Sequence, residues 1–460
     1  MTVRTMTGRP VAAVVLAAGK GTRMRSAMPK VLHPIGNAPM LHHALRYAAT
    51  LAPERIAVVV GHGGDKVAAA AHTWRADIGI TEQTEQLGTG HAVLSARAAL
   101  DGFDGDLFVL FGDTPFIRPD TLQAMSDARQ GAEIVALGFE APDPGRYGRF
   151  ILGPDNTLEA IVEAKDATPA QLAIRTCNSG VMAGDCRTML RLLDRIGNQN
   201  AQGEYYLTDV IGLARAEGLT CRAVLCDEVE TLGINDRVQL AEAEAIFQDR
   251  ARHAAMMGGA TLVAPETVFF SLDTELGQDV TVHPNVVFGP GVRVGDNCEI
   301  KAFTHLEDTV LAADVKVGPF ARSRGGTDLA SGVRIGNFVE MKKARLGEGT
   351  KAGHLSYLGD AALGAGVNIG AGTITCNYDG ADKHQTTIED GAFIGVNTAL
   401  IAPITVGQGA YVGTGTTLTK DVPPDALALA RTAQENREGY ARRLRDRIAA
   451  RKRKKAERTD

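Results

Sequence analysis

The chain has 460 residues, 49 Lys and Arg against 54 Asp and Glu, and a formal net charge of −5, with 44% hydrophobic but only 5% aromatic residues. That length is too great for one compact core, so two or three domains are expected, and the aliphatic content excludes a chain that is disordered overall. No apolar stretch approaches a membrane span, and the six scattered cysteines, with no C-x-x-C pair and no metal-ligand spacing, point to a reducing, cytoplasmic setting in which each thiol is a small buried hydrophobe.

Arg4 and Arg9 precede the apolar run Val11 to Ala18, a faint likeness to a signal peptide. Lys20, Arg23 and Arg25 follow at once without a polar cleavage region, so the run is expected to belong to the fold. Val11 to Leu16 reads as a strand buried on both faces of a parallel sheet. It empties into Ala17-Ala18-Gly19-Lys20-Gly21-Thr22-Arg23, whose small residues and free N–H groups, with Lys20, Arg23 and Lys30, suit a polyphosphate. The spacing is neither a Walker loop nor G-x-G-x-x-G, and an ordinary glycine turn remains open.

Alternating units follow: a helix around Met40 to Ala49, a strand Ile56 to Val60 ending in Gly61-His62-Gly63-Gly64, then Gln83 and Gly88-Thr89-Gly90 before another helix. Such alternation predicts a mostly parallel sheet that collects ligands at the carboxyl ends of its strands. Leu107 to Leu110 delivers Phe111-Gly112-Asp113. An Asp at the end of a buried strand is costly unless it meets a cation, so it is either a divalent-metal ligand or a turn former before Thr114-Pro115. Glu163 and Asn178, at the ends of short apolar runs, either sit in turns or bond sugar hydroxyls. Asp236 can cap a helix with Leu240, Phe247 and Ala251 on one side, ended by Gly258-Gly259, which is expected to connect to a second domain.

From Leu276 to Leu418 apolar residues recur every sixth position. Leu276, Val282, Phe288, Val294, Ile300 and Leu306 form one run, and Ile388, Ile394, Leu400, Val406, Val412 and Leu418 another. A hexad repeat reads as a parallel β-helix whose inward aliphatics stack on their copies above and below. The hexad slips from Met341 to Leu346 and from Leu358 to Leu363, then breaks at the polar insertion Asn377 to His384. Arg322, Arg324, Glu340, Lys342, Lys343, His354, Tyr357, Asn368 and Asn377 gather near these irregularities, as a binding face would. From Tyr440 to Asp460 there are ten Lys and Arg against three Asp and Glu. A basic tail can contact nucleic acid or anionic surfaces, but charge runs alone are weak signals, and a solvated helix with Leu444 and Ile448 on one face is expected.

The motifs L-A-A-G-K-G-T-R-M (Leu16 to Met24), P-K-V-L-H (Pro29 to His33), E-Q-L-G-T-G-H-A (Glu85 to Ala92), G-E-Y-Y-L-T-D (Gly203 to Asp209), G-N-F-V-E-M-K-K-A (Gly336 to Ala344), K-A-G-H-L-S-Y-L-G-D (Lys351 to Asp360) and N-I-G-A-G-T-I-T-C-N-Y-D-G (Asn368 to Gly380) carry a family resemblance. With them the chain resembles, from Leu16 to about Arg431, the bacterial bifunctional N-acetylglucosamine-1-phosphate uridylyltransferases and glucosamine-1-phosphate N-acetyltransferases. The resemblance implies a Rossmann-like α/β nucleotidyltransferase domain with a mostly parallel sheet over residues 1–235, a linker helix over 236–259, a left-handed parallel β-helix of hexapeptide repeats over 260–439 and a basic tail over 440–460. It implies acetyl transfer from acetyl-CoA to glucosamine-1-phosphate. Uridylyl transfer from UTP to N-acetylglucosamine-1-phosphate follows, supplying UDP-N-acetylglucosamine for peptidoglycan, lipopolysaccharide and other cell-wall precursors.

By the same resemblance, Leu16, Ala17, Ala18, Gly19, Gln83, Gly88 and Thr89, with Phe111 and Gly112, hold the nucleotide, and Arg23 and Lys30 stabilise the phosphates. Asp113 and Asn235 would ligate Mg²⁺, and Gly148, Glu163 and Asn178 would hold the sugar. His354 is the expected base of acetyl transfer, an unperturbed imidazole (pKa near ~6.5) being suited to take a proton from an ammonium at neutral pH, with Glu340 as its expected orienter. Arg324, Lys342, Tyr357, Asn368, Asn377 and Tyr378 map onto sugar-phosphate contacts, and Ala371, Val396, Thr414 and Arg431 onto acetyl-CoA contacts. A homotrimer is implied, with acetyltransferase sites drawing on neighbouring chains, and no membrane or nucleic-acid partner. The sequence departs from the family at Arg322-Ser323-Arg324-Gly325-Gly326, where a proline is usual, at Val396 for a frequent Ser, at Thr414 for a frequent Ala, and at Phe111 for a common Tyr. Two competing readings make the β-helix a regulatory module or the whole chain a scaffold; the His354 motif argues against the first, and the second predicts no Mg²⁺-dependent pyrophosphate release.

Overall fold

The computed structural model describes residues 8–154 and 157–456. It falls into two compact units: one runs up to His253 and includes Phe270–Leu272, the other comprises Ala254–Phe269 and the chain from Asp273 onward.

In the first unit seven strands lie in the order Cys221–Cys226, Ile134–Glu140, Thr176–Asp185, Asp106–Phe111, Val11–Ala17, Arg55–Val60 and Gly79–Glu82. All neighbours are parallel except at Thr176–Asp185, which runs against both of its partners. Val11–Ala17 is buried at all seven positions because the sheet has a core on each face. Ala12, Val14 and Leu16 pack with Leu107 and Val109 on one side; Val11, Ala13, Val15 and Ala17 pack with Phe108 and Leu110 on the other. Period-two alternation across two apolar layers therefore gives a continuous hydrophobic run, as the sequence suggested. Register aligns Leu16 with Val59 and with Phe111, so the loops after three neighbouring strands emerge along one edge.

The helix Arg237–Met257 is packed into the first unit for most of its length. Glu244 accepts from the Gly36 N–H at 2.8 Å, and Gln248 both donates to and accepts from the backbone of Phe270 at 2.8 Å. Asp236 caps it, its Oδ1 accepting from the N–H groups of Val238 and Gln239 at 3.0 Å. The unit boundary thus falls at His253, inside this helix.

The second unit is a left-handed β-helix built of hexapeptide repeats. One side is a ten-stranded parallel ladder from Thr261–Leu262 to Leu427–Ala428; the other two sides carry the remaining strands. Inward aliphatics pair directly with their copies in the next coil: Val282 with Ile300, Ile300 with Val317, Val317 with Ile335, and later Ile369 with Ile394 and Ile394 with Val412. All of these are buried. Leu311, Leu329, Leu346, Leu363 and Ile388 stack on another side at steps of 18, 17, 17 and 25 residues. The long last step is the polar insertion, pinched at its base where the His384 N–H donates to the Asn377 carbonyl at 2.9 Å. At the two slips the corner is absorbed into long strands, Glu340–Leu346 and Tyr357–Leu363, with Lys343 and Asp360 left-handed at φ 50° and 46°.

The six cysteines are free, four of them buried, and burial pushes the Cys221 and Cys226 thiols up to about 12. Tyr440–Ala456 is a helix with exposed Leu444 and Ile448. Among the described residues no helix is long and apolar enough to cross a membrane.

Candidate functional sites

At the carboxyl edge of the first sheet the chain leaves Ala17 for a loop that is tied down from three directions. Gly112 N–H donates to the Leu16 carbonyl at 3.0 Å, and Gln86 Nε2 donates to the Ala18 carbonyl at 2.7 Å. A Cβ on Gly61 would stand 2.7 Å from that same carbonyl oxygen. Ala17 and Ala18 are buried, whereas Gly19 and Lys20 are exposed. Gly21 is left-handed (φ 59°), and a Cβ there would meet Lys30 Cβ at 2.6 Å, so the glycine lets Lys30 lie against the loop.

Lys30 and Arg23 converge on the end of the Asp106–Phe111 strand. Lys30 Nζ is paired with the Asp113 carboxylate and donates to Asn235 Oδ1 at 3.1 Å; Arg23 Nη2 donates to the same oxygen at 2.8 Å. Asn235 is held by its own Nδ2, which donates to the Gly233 carbonyl at 2.9 Å, and by its N–H, which donates to Gln239 Oε1 at 2.8 Å. Its amide oxygen is therefore the group turned to the cations. A carboxylate and an amide oxygen are hard donors of the kind Mg²⁺ takes, an ion that keeps several waters and accepts substrate phosphates. Among the described residues no group of three or more His, Cys, Asp or Glu is placed to hold a metal ion. Tyr47, which the sequence reading missed, fixes this turn from below: its buried hydroxyl donates to the Phe111 carbonyl at 3.1 Å.

Beside the loop lies a cavity of about 290 Å³ lined by Lys20, Gly61, His62, Glu82, Gln83, Thr84 and Gln86. Gln83 is buried, and its Nε2 donates to the Gly88 carbonyl at 3.0 Å and to His91 Nδ1 at 3.1 Å. Both N–H bonds are consumed, which leaves the carboxamide oxygen to meet a ligand. Gly88 has φ 113°, and a Cβ there would strike the Tyr205 carbonyl oxygen at 2.6 Å. Thr89 Oγ1 accepts from the Leu207 N–H at 3.1 Å, so the Gly203 to Asp209 motif packs on this turn.

The three residues assigned to the sugar are contiguous. Asn178 N–H donates to the Gly148 carbonyl at 2.8 Å, and a Cβ on Gly148 would lie 3.4 Å from the Glu163 carboxylate. Glu163 accepts from Thr208 Oγ1 at 3.2 Å, while burial pushes its carboxyl up. Gly180, at φ 90°, would collide with the Phe111 ring if it carried a Cβ, which places this group next to the Phe111-Gly112-Asp113 turn. Arg149, buried and also missed in the sequence, braces the turn before Gly148 by donating to the carbonyls of Gly145 at 3.2 Å and Pro144 at 3.4 Å.

Because a raised folded-state carboxyl binds protons more tightly than the unfolded one, Glu163 costs stability as pH rises from its unfolded value through its folded one, and the cost is complete above that. Glu163→Gln is therefore expected to raise the melting temperature above that window, as measured at pH 8. The gain should vanish near pH 4. Calorimetry at both pH values checks the sign.

In the second unit Arg324, Lys342 and Gly359 are in register on one side of the prism. Arg324 is bonded to Glu340 through Nε at 3.0 Å and Nη2 at 2.7 Å, which raises its pKa. Glu340 is consequently not the partner of His354, contrary to expectation. His354 Nδ1 lies 2.7 Å from Asn337 Oδ1, and the two residues are register partners in adjacent coils. Position 337 stands directly below 354 on one side of the prism, whereas Glu340 lies past the Phe338 corner and beside Arg324.

Tyr357 packs over Gly359, where a Cβ would touch its hydroxyl. Asn377 is buried and bonded to the Asp360 carboxylate. Tyr378 donates to the Gly380 carbonyl at 2.6 Å, and Lys383 Nζ sits 3.9 Å from its ring centroid. Asn368 pairs with Lys351 and Phe393 on the side that carries His354. The four residues mapped to acetyl-CoA follow one ascending ladder from the His354 corner. Gly372 N–H donates to the Leu355 carbonyl (2.9 Å), Asn397 N–H to Ala371 (2.7 Å), Gly415 N–H to Val396 (2.8 Å) and Arg431 Nη1 to Thr414 (2.8 Å).

Comparison with known proteins divides the chain in the same way. The family model of the MobA-like NTP transferase domain matches residues 13–179, bacterial transferase hexapeptide (six repeats) matches 273–307, and hexapeptide repeat of succinyl-transferase matches 385–420. Among curated relatives, the bifunctional protein GlmU of Jannaschia sp. (strain CCS1) is 52% identical over 96% of this chain and 98% of its own length. The GlmU proteins of Ruegeria sp. (strain TM1040) and Azorhizobium caulinodans are each 55% identical, over 97% and 96% of this chain and 99% and 98% of theirs.

Proposed function

Because the chain belongs to the family of bifunctional GlmU proteins, we propose that it makes UDP-N-acetylglucosamine in two steps, one in each unit. In the β-helix the amine of glucosamine-1-phosphate attacks the thioester carbonyl of acetyl-CoA. His354 takes the proton released by the attacking nitrogen, and the C–S bond breaks to free the CoA thiolate. Arg324, Lys342, Tyr357, Asn368, Asn377 and Tyr378 hold the sugar phosphate, and the ladder of Ala371, Val396, Thr414 and Arg431 holds acetyl-CoA.

In the α/β unit a phosphate oxygen of N-acetylglucosamine-1-phosphate attacks the α-phosphorus of UTP and pyrophosphate leaves, a displacement that needs mainly alignment and charge neutralisation. Leu16 to Gly19, Gln83, Gly88 and Thr89 hold the nucleotide beside Phe111 and Gly112. Arg23 and Lys30 draw charge from the phosphates. Gly148, Glu163 and Asn178 hold the sugar. Asp113 and Asn235 would hold Mg²⁺, which would supply further neutralisation at the phosphates. UDP-N-acetylglucosamine then feeds peptidoglycan, lipopolysaccharide and other cell-wall precursors in the cytoplasm. The functional divisions are 1–235, the connecting helix 236–259, 260–439 and the tail 440–460.

One observation carries this reading: the glycine-rich loop beside Lys30, Arg23, Asp113 and Asn235, and the exposed His354 against Asn337, occur in separate units of one chain. Assaying the two half-reactions separately tests it. CoA thiol must appear with glucosamine-1-phosphate and acetyl-CoA, and pyrophosphate with UTP, N-acetylglucosamine-1-phosphate and Mg²⁺. Absence of either product refutes that half.

The working form is a homotrimer in which neighbouring β-helices complete the acetyltransferase sites. A stack of exposed rings supports it: Phe303, Phe320 and Phe338 lie along the corner that continues to Leu355, with centroids 4.8 and 5.2 Å apart and about half of each residue exposed. Monomeric proteins seldom leave such a stripe uncovered. Phe320→Glu is expected to give a species near one third of the wild-type mass by light scattering, with acetyl transfer lost and uridylyl transfer kept.

A further inference from the structure

We infer that Asn337 is the positioning residue for the acetyltransferase base, fixing the His354 imidazole so that Nε2 is the nitrogen that accepts the substrate proton. This rests on the reading of His354 as that base and adds its orienter and its reacting atom.

A neutral imidazole has one N–H and one lone pair, and the partner of the first decides where the second points. Asn337 Oδ1 can only accept, so at 2.7 Å it places the proton on Nδ1 and leaves the lone pair on Nε2. The mount is rigid. Asn337 and His354 are opposite one another in the strands Arg334–Asn337 and Lys351–His354, neighbours in the ten-stranded ladder, and the Leu355 N–H donates to the Asn337 carbonyl at 3.0 Å. The half-buried amide thus holds an exposed ring that has few other constraints.

An amide is also suited to the proton balance. Attack by the amine on the thioester carbon transfers one proton to Nε2, and the resulting imidazolium must give it up, to the departing thiolate or to water, before the next turnover. A carboxylate in the place of Asn337 would bind that imidazolium strongly and raise the pKa of the base, as an opposite charge within hydrogen-bond reach does by about 1–3 units. The neutral partner orients the ring without placing a charge beside it. Glu340, the nearest carboxylate in the motif, is engaged by Arg324 instead.

Two variants test the inference, each with its mass by light scattering and its melting curve as the check that the β-helix unit is intact. Asn337→Ala is expected to lower kcat for acetyl transfer by tenfold or more while KM for acetyl-CoA stays within about twofold, because a mispointed base affects proton transfer rather than ground-state binding. Asn337→Asp, which preserves the acceptor, is expected to stay active at high pH while the acid limb of kcat/KM for glucosamine-1-phosphate moves up by about one unit or more. An unchanged kcat in Asn337→Ala, a loss residing only in KM, or an unmoved limb in Asn337→Asp each overturns the inference. His354→Ala run in parallel separates the two levels. If that variant keeps acetyl transfer, the base itself has been misassigned; if it is inactive while the Asn337 variants behave as wild type, only the orienter has.

Discussion

His354→Ala is expected to reduce acetyl transfer by about 10²–10⁴-fold, the range over which a positioned general base acts, and to leave uridylyl transfer at the wild-type rate. The attacking amine becomes positively charged as its bond to the thioester carbon forms, and the adduct goes forward only once that one proton has somewhere to go. Arg324 and Lys342 are cations and cannot accept it, and Glu340 is bonded to Arg324. Removing the imidazole therefore leaves water as the acceptor. The side chain is exposed and outside the stacked aliphatic core, so its truncation should cost the fold no more than ~0.5 kcal/mol. Thiol release measured with glucosamine-1-phosphate, beside pyrophosphate release from the same preparation, reads both sides of the expectation. A variant that loses both activities while folded would refute the division of labour between the units.

The parts of this molecule that repeat, or that bury every side chain, were legible in the sequence. A six-residue period has one structural solution here, and Val282, Ile300, Val317 and Ile335 stack as their spacing demands. Val11 to Leu16 announces a two-faced strand because no polar residue interrupts it, and the loop that follows had to lie at the ligand edge of a parallel sheet. The slips after Met341 and Leu358 were visible too, although not that each corner would fall inside one long strand, at the left-handed Lys343 and Asp360.

What remained hidden depends on neighbours remote in sequence. Asn337 is one coil, 17 residues, from His354 and sits in a motif whose carboxylate, Glu340, drew attention away from it. No local pattern distinguishes an amide that faces a histidine in the next coil from one that closes a corner. Tyr47 lies on a helix whose apolar periodicity absorbs it; only the tertiary fold shows its hydroxyl on the Phe111 carbonyl. Arg149 reads as a surface charge until its guanidinium is seen spent on three turn carbonyls. Gln86 lies inside a recognised motif, yet its bond to Ala18 spans 68 residues and has no signal in the chain.

Asp113→Ala is expected to lower uridylyl transfer by about 10²–10³-fold, the loss that follows removal of one preorganised charge-stabilising group, with acetyl transfer unchanged. Two effects act together. The carboxylate is the only negatively charged side chain in the cluster with Arg23, Lys30 and Asn235, so without it a divalent ion retains one protein oxygen and must rely on the triphosphate. Lys30 also loses its partner. It is mostly buried, and the freed ammonium will lean on Asn235 or on substrate phosphate in a position that no longer opposes a carboxylate. The first effect should appear as a higher Mg²⁺ requirement, the second as a loss of maximal rate that Mg²⁺ cannot restore. Pyrophosphate release measured across a Mg²⁺ titration separates them. Asp113→Asn, which keeps an oxygen donor but not the charge, should fall between Asp113→Ala and wild type in Mg²⁺ affinity yet recover little rate. Should Asp113→Ala match wild type in both rate and Mg²⁺ dependence, Asp113 is a turn former before Thr114 and Pro115, and the ion must be held elsewhere on the strand edge.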